Sequence, residues 1–310
     1  IRHMFPPLVT GIVVLMIGIS LLKVGFKYAG GGVWLMNNKP EIFGNWEHLL
    51  IAGTVLIVAL LCNLRGKGMV SSASILIGII AGFVMATLLG EVRFEKIAAA
   101  GWFAFPMPFQ YGIDFVWGAV ILMLFMSVVT TIETIGDISA TTMGGANREA
   151  TDKELSGGIM ADGVGTAFAS IFNAMPNTSY SQNAGLVAFT GVISRHVGTV
   201  AGVILILLGL FPKLGGIIAA MPDSVIGGAA IIMFGLIAGA GIKLISKTEM
   251  SQRNILILAL SLSFGIGLYA FPEFVAHIPD FGIKLKLLLT TGLIPAGLLA
   301  FILNATLPKK

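Results

Sequence analysis

Long apolar runs, separated by short polar joints, constrain this chain more than anything else in its sequence. Ten such stretches run near 7–28, 48–64, 69–90, 114–139, 156–173, 181–194, 198–220, 224–245, 254–272 and 286–306. A helix needs roughly 20 mainly apolar residues to cross the hydrocarbon of a bilayer, and most of these runs reach that length. Only 11% of residues are charged, against about a quarter in soluble domains, and mean hydropathy is +0.95. The expected fold class is therefore an all-α polytopic membrane protein of about ten spans, surrounded by lipid. Forty glycines suit helices whose backbones approach closely.

Composition also excludes function classes. Cys62 is alone, so the chain holds no disulfide framework or thiolate metal cluster. The pI near 9.2 comes from Lys and Arg residues scattered singly or in pairs between apolar runs. With no basic stripe, nucleic acid is not an expected partner. His3, His48, His196 and His277 fall at span ends or in loops with no metal-ligand spacing, which reads as interfacial placement. Trp34, Trp46, Trp102 and Trp117 lie beside apolar runs, as interfacial anchors do. The methionine-rich stretch 121–126 reads as core packing. No nucleophile–base or metal constellation lies within the spans, so the chain is not expected to be an enzyme, and no cofactor is expected.

The positive-inside rule orients the chain. With a cytoplasmic C-terminus, Arg2, Arg65, Lys67, Arg148, Lys153, Arg195, Lys243, Lys247, Arg253, Lys309 and Lys310 all fall inside. The eighth span resembles the first. Aligning Pro6 with Pro222 also aligns Val9 with Val225, Gly11 with Gly227, Gly25 with Gly241 and Lys27 with Lys243. An offset of seven spans makes the two copies face opposite ways, as in secondary transporters built from inverted repeats. Four spans precede Pro222 and almost nothing precedes Pro6. The expectation is therefore a piece of a protein of about fourteen spans.

Three acidic residues, Glu133, Asp137 and Asp162, fall within apolar runs. A charge at the bilayer centre costs about 2.5–3.5 kcal/mol on insertion scales, so such groups usually face a cavity and serve function. Glu133 and Asp137 are four apart and share one helical face. Two carboxylates so close in a low dielectric do not both ionise cheaply, which suits a hydrogen-bonding substrate site and a proton-coupled cycle alike. The competing reading puts Glu133 and Asp137 at the cytoplasmic end of their span, partly in water, and Asp162 at an interfacial helix start. The polar run from Pro176 to Asn183 adds Ser179, Ser181, Gln182 and Asn183. Its amides both donate and accept, matching the mixed edges of a heterocyclic base. The short run after it reads as a surface loop or as a half-helix with an extended lead-in near 179–182.

These residues resemble the signature of the nucleobase–ascorbate transporter family, which includes bacterial uracil and xanthine permeases. Gln182-Asn183-Ala184-Gly185, with Thr190 and then Arg195, is similar to the family's Gln/Glu-Asn-x-Gly…Thr motif. Glu133-Thr-Ile-Gly136-Asp137 is similar to its Glu-x-x-Gly-Asp/His element, and Asp162-Gly163 to its Asp-Gly pair. The resemblance implies two inverted seven-span repeats divided into core and gate domains. Residues 113–221 would be core, and 1–112 and 222–310 gate.

The resemblance also implies that Glu133 hydrogen-bonds ring N–H groups and that Gln182 reads the opposite edge of the base. Ser181 and Asn183 would complete the binding segment, with Asn183 orienting it. Asp137, Asp162, Gly185, Thr190 and Arg195 would support the site or its coupling. Gln182 and Asp137, where uracil carriers have Glu and His, favour xanthine or uric acid over uracil. Ala184, where many purine members have Asn, departs from that pattern. The implied activity is cation symport of a purine base, driven by H⁺ or Na⁺, in a multi-pass protein of the cytoplasmic membrane, with a homodimer as a further expectation. The alternatives are a uracil or other nucleobase permease, and a non-transporting piece lacking the first four spans, which in the family contribute to the site. An anion carrier of sulfate-transporter architecture would call for a basic or neutral site, unlike Glu133 and Asp137.

Overall fold

The structure, a computed structural model, describes residues 6–92, 94–180, 183, 187, 191–277 and 285–308. Every regular element among them is helical. In chain order these are α1 (Pro7–Ala29), α2 (Val33–Asn38), α3 (Trp46–Arg65), α4 (Met69–Ser72), α5 (Ser74–Leu88), α6 (Glu95–Ala99) and α7 (Trp117–Ala146). There follow α8 (Asp152–Ile171), α9 (Arg195–Gly209), α10 (Pro212–Ala220), α11 (Asp223–Ser246), α12 (Gln252–Ala270), α13 (Leu285–Thr290) and α14 (Leu293–Thr306). Five of them, α1, α3, α7, α11 and α12, are single helices long and apolar enough to cross a membrane. The stretch 198–220, expected as one span, is instead α9 and α10, bent by 80°. Pro212 sits at the start of α10, where its fixed φ and missing N–H suit a helix beginning and not a helix interior. The stretch 286–306 is likewise interrupted at Gly292, whose φ is +70°.

Local chemistry sets the helix starts. Asn45 accepts from the His48 N–H at 3.1 Å to begin α3, and Ser251 accepts from the Asn254 N–H at 3.3 Å to begin α12. Thr151 and Glu154 form a reciprocal capping box at the head of α8. Arg148 pairs with the same Glu154 carboxylate at 2.5 Å. That pairing and the hydrogen bonds from Thr151 hold the Glu154 carboxyl well below the usual carboxylate range. At the other end of the preceding helix, α7 stops at Asn147 in a left-handed conformation, φ +54°.

The chain divides into two compact units: Ile1–Ser20, Met107–Ile193 and Leu236–Lys310 form the first, and Leu21–Pro106 with Ser194–Gly235 the second. In the first, Leu8, Val9, Ile12, Leu15 and Met16 of α1 pack with Ile245, Ile257, Ala296 and Ala300. In the second, Ile51 and Val55 of α3 pack with Ala86, Ala220, Val225 and Ala229. In lipid such clusters gain little from leaving water, because the tails are equally apolar, so close contact between backbones matters more.

Glycine provides that contact. Within the first unit a Cβ on Gly11 would meet Ile245, and one on Gly241 would meet the Leu15 backbone. Within the second, a Cβ on Gly227 would meet the Ala29 backbone, and one on Gly25 would meet Ile231. These contacts correspond pairwise at the spacing that separates Pro6 from Pro222.

Two readings of single residues change. His48 does not lie in an interfacial position open to solvent: it is buried in the first turn of α3, its ring against Gly31. Met123 and Leu124, expected in the core, are exposed. An apolar side chain facing lipid loses nothing by lying outside the protein, so apolar composition alone does not mark a core position in such a chain. The four tryptophans are also exposed, with Trp46 and Trp117 opening α3 and α7.

Candidate functional site

Of the acidic residues read as functional, Glu133 and Asp137 lie on α7 and Asp162 on α8, all in the first unit. Helix α7 runs to Ala146, seven residues beyond the apolar stretch that announces it. Glu133 therefore stands about 24 Å along a helix of about 45 Å, near its middle and not at its end. The polar tail of the helix is stabilised internally. The Ser139 hydroxyl donates to the Ile135 carbonyl at 2.7 Å and the Thr142 hydroxyl to the Ile138 carbonyl at 2.9 Å.

The three carboxylates converge. Asp137 and Asp162 both act electrostatically on Glu133, which is itself half-buried. Asp162 takes donors on each oxygen: the Thr134 hydroxyl donates to Oδ2 at 3.2 Å, and Asn177 Nδ2 donates to Oδ1 at 2.9 Å. Thr134, the neighbour of Glu133, is 3% exposed, so its hydroxyl needs this acceptor. Ser179 Oγ donates to Asp137 Oδ2 at 2.6 Å and lies 3.4 Å from Thr134 Oγ1. The Thr166 hydroxyl, one turn beyond Asp162 on α8, donates to the Asn177 side-chain oxygen at 2.9 Å and lies 3.2 Å from its carbonyl. The segment after α8 is thus fastened to α8 by Asn177 and to α7 by Ser179.

The remaining residues of the signature are distributed as follows. Asn183 is exposed and donates its backbone N–H to the Tyr180 carbonyl at 3.0 Å. Ser181, Gln182, Gly185 and Thr190 lie outside the described residues, as does the second half of the extended lead-in expected near 179–182. Asn177 to Tyr180 carry neither helix nor strand. Arg195 opens α9 in the second unit, exposed, and its carbonyl accepts from the Thr199 hydroxyl at 3.1 Å.

Three participants escape a reading of the sequence: Thr134, Thr166 and Asn177. The one available signal is spacing, since Asp162 and Thr166 are four apart on a helix and Asn177 belongs to the polar run. Chemically, Asp162 and Asp137 are held by hydroxyl and amide donors, and Glu133 beside them adds a carboxylate able to accept. Such a set suits a neutral ligand with ring N–H groups.

The permease family profile matches residues 1–274. A relative from Clostridium perfringens, CPE0397, is 40% identical over 305 residues, covering 98% of this chain and 66% of the relative. The xanthine permease XanP of Escherichia coli K12 is 36% identical over 313 residues, covering 100% of this chain and 66% of the relative. The uric acid permease PucJ of Bacillus subtilis is 36% identical over 304 residues, covering 97% and 67%. The chain thus spans about two thirds of the length of the curated relatives it matches.

Proposed function

The chain belongs to the nucleobase–ascorbate transporter family, and from that premise we propose that it serves uptake of a purine base, xanthine or uric acid, across the cytoplasmic membrane by cation symport. The convergence of Glu133, Asp137 and Asp162 with the Asn177–Ser179 segment at the middle of α7 carries this reading. Carboxylates within an apolar membrane helix are costly unless they serve a ligand or an ion.

In this reading Glu133 accepts from ring N–H groups of the base. Gln182 and Ser181 meet its other edge, and Asn183 orients their segment. Asp162 and Asp137 support Glu133 and link the site to the driving ion, H⁺ or Na⁺. Gly185, Thr190 and Arg195 shape the chain that follows. The glycine contacts of α1 and α11, which correspond at the spacing of the internal repeat, support an inverted seven-plus-seven architecture. Residues 113–221 then form the core, 1–112 and 222–310 the gate, and the gate offers the surface for a homodimer.

The names of the xanthine and uric acid permeases favour those bases, and Gln182 favours them over uracil. The coupling is tested by radiolabelled xanthine uptake in cells expressing the encoded protein, with the proton and sodium gradients collapsed separately. Uptake should fall to the vector background when one of the two gradients is removed. Concentrative uptake that survives the loss of both would contradict symport.

A further inference from the structure

Where α1 ends, α3 and α11 both begin, and these three helix ends belong to the second unit. A Cβ on Gly227 would meet the Ala29 backbone, one on Gly31 the His48 ring, and one on Gly32 the Asp223 carboxylate. One turn further in, α3 and α11 touch directly: a Cβ on Gly228 would lie 3.1 Å from Ala52 Cα and 2.7 Å from its carbonyl oxygen. Four residues earlier on each helix stand Ser224 and His48. Both side chains therefore lie on the faces that α3 and α11 turn toward one another. Burial agrees with that placement, since Ser224 is 0% and His48 7% exposed.

Among the described residues, neither Ser224 Oγ nor His48 Nδ1 has a hydrogen-bond partner, and both atoms are buried. Gly31 meets the Cδ2–Nε2 edge of the imidazole, so Nδ1 is on the side of the ring turned away from the end of α1. Buried polar groups are rarely left unpaired, and a water molecule is what usually serves those that the protein itself does not satisfy. We propose that a bound water joins His48 Nδ1 to Ser224 Oγ and so ties the start of α3 to the start of α11. Water both donates and accepts, and so does a serine hydroxyl. The bridge therefore closes whichever ring nitrogen of His48 carries the proton.

Water suits this place better than an ion. The first turns of α3 and α11 favour an anion, whereas the carbonyl end of α1 and the Asp223 carboxylate favour a cation, so neither sign gains. Nor do three His, Cys, Asp or Glu side chains gather, among the described residues, as a metal ion would need. The bridge belongs to the second unit, whereas Glu133, Asp137 and Asp162 belong to the first. It is thus independent of the transport reading above.

Thermal unfolding of the encoded protein in detergent tests the bridge through the sign of the change. With the water in place, Ser224→Ala strands His48 Nδ1 and should lower the melting temperature by about 2 °C or more. His48→Phe, which keeps a ring of similar size, should lower it too by stranding Ser224 Oγ. Combining the two leaves no stranded group, so the double variant should melt no lower than either single one. An unchanged or raised melting temperature in Ser224→Ala, or losses that simply add in the double variant, overturns the inference, since an isolated buried hydroxyl is better removed. Where His48→Phe fails to fold, a wild-type density map that resolves waters decides. A peak within hydrogen-bond distance of both atoms is expected; no peak, or direct contact between His48 and Ser224, contradicts the bridge.

Discussion

Replacing Glu133 by Gln should abolish xanthine uptake while leaving the amount of protein in the membrane unchanged. Glutamine keeps the volume and shape of glutamate, so the middle of α7 has no reason to rearrange. What changes is the pattern of donors and acceptors. A carboxylate offers two accepting oxygens to paired ring N–H groups, whereas an amide offers one acceptor and sets an NH₂ against the second N–H. A hydrogen bond to a charged group contributes about 1.5–3 kcal/mol, and an opposed donor pair adds a desolvation cost of about 1–3 kcal/mol. Their sum, at about 1.4 kcal/mol per decade, predicts a loss of about sixtyfold or more. Uptake within about threefold of wild type would remove Glu133 from contact with the substrate.

Asp162→Asn should also reduce uptake, for a different reason. Here the hydrogen bonds can adapt. An asparagine oxygen turned toward Asn177 keeps the 2.9 Å contact, and its NH₂ then meets Thr134, whose hydroxyl can accept instead of donate. The liberated Thr134 proton can point toward Ser179 Oγ, 3.4 Å away. The protein should therefore reach the membrane with its local geometry kept. What it loses is a negative charge beside Glu133 and a group able to take up and release a proton. Uptake should fall at least about tenfold, the equivalent of about 1.4 kcal/mol. If Asp162→Asn transports nearly normally, Asp162 is a hydrogen-bond acceptor with no part in coupling.

The length of the apolar runs made the helices legible where they are single and continuous. The stretch read at 224–245 is α11, Asp223–Ser246, and that read at 48–64 is α3, Trp46–Arg65. Reading failed where a helix continues on small polar residues. From Thr141 to Ala146 only Met143 and Ala146 are apolar, yet α7 persists, with Ser139 and Thr142 satisfying their hydroxyls on its own backbone. That extension places Glu133 near the middle of the helix and not at its end.

The bend between α9 and α10 had a local sign in Pro212. Its 80° angle did not, since proline marks where a helix starts and not the direction it takes. At the site, the charged members stood out because charge is rare in these runs. Thr134, Thr166 and Asn177 did not, since threonine and asparagine are unremarkable in sequence. Their pairings join residues 28, 11 and 15 apart, fixed only once α7 packs on α8 and the segment after α8 folds back on it.

The central claim is a purine site built around Glu133, and competition for uptake tests it most directly. Radiolabelled xanthine should enter cells expressing the encoded protein by a saturable route that unlabelled uric acid suppresses and unlabelled uracil does not. Equal suppression by uracil, or no uptake above cells carrying empty vector, would contradict it.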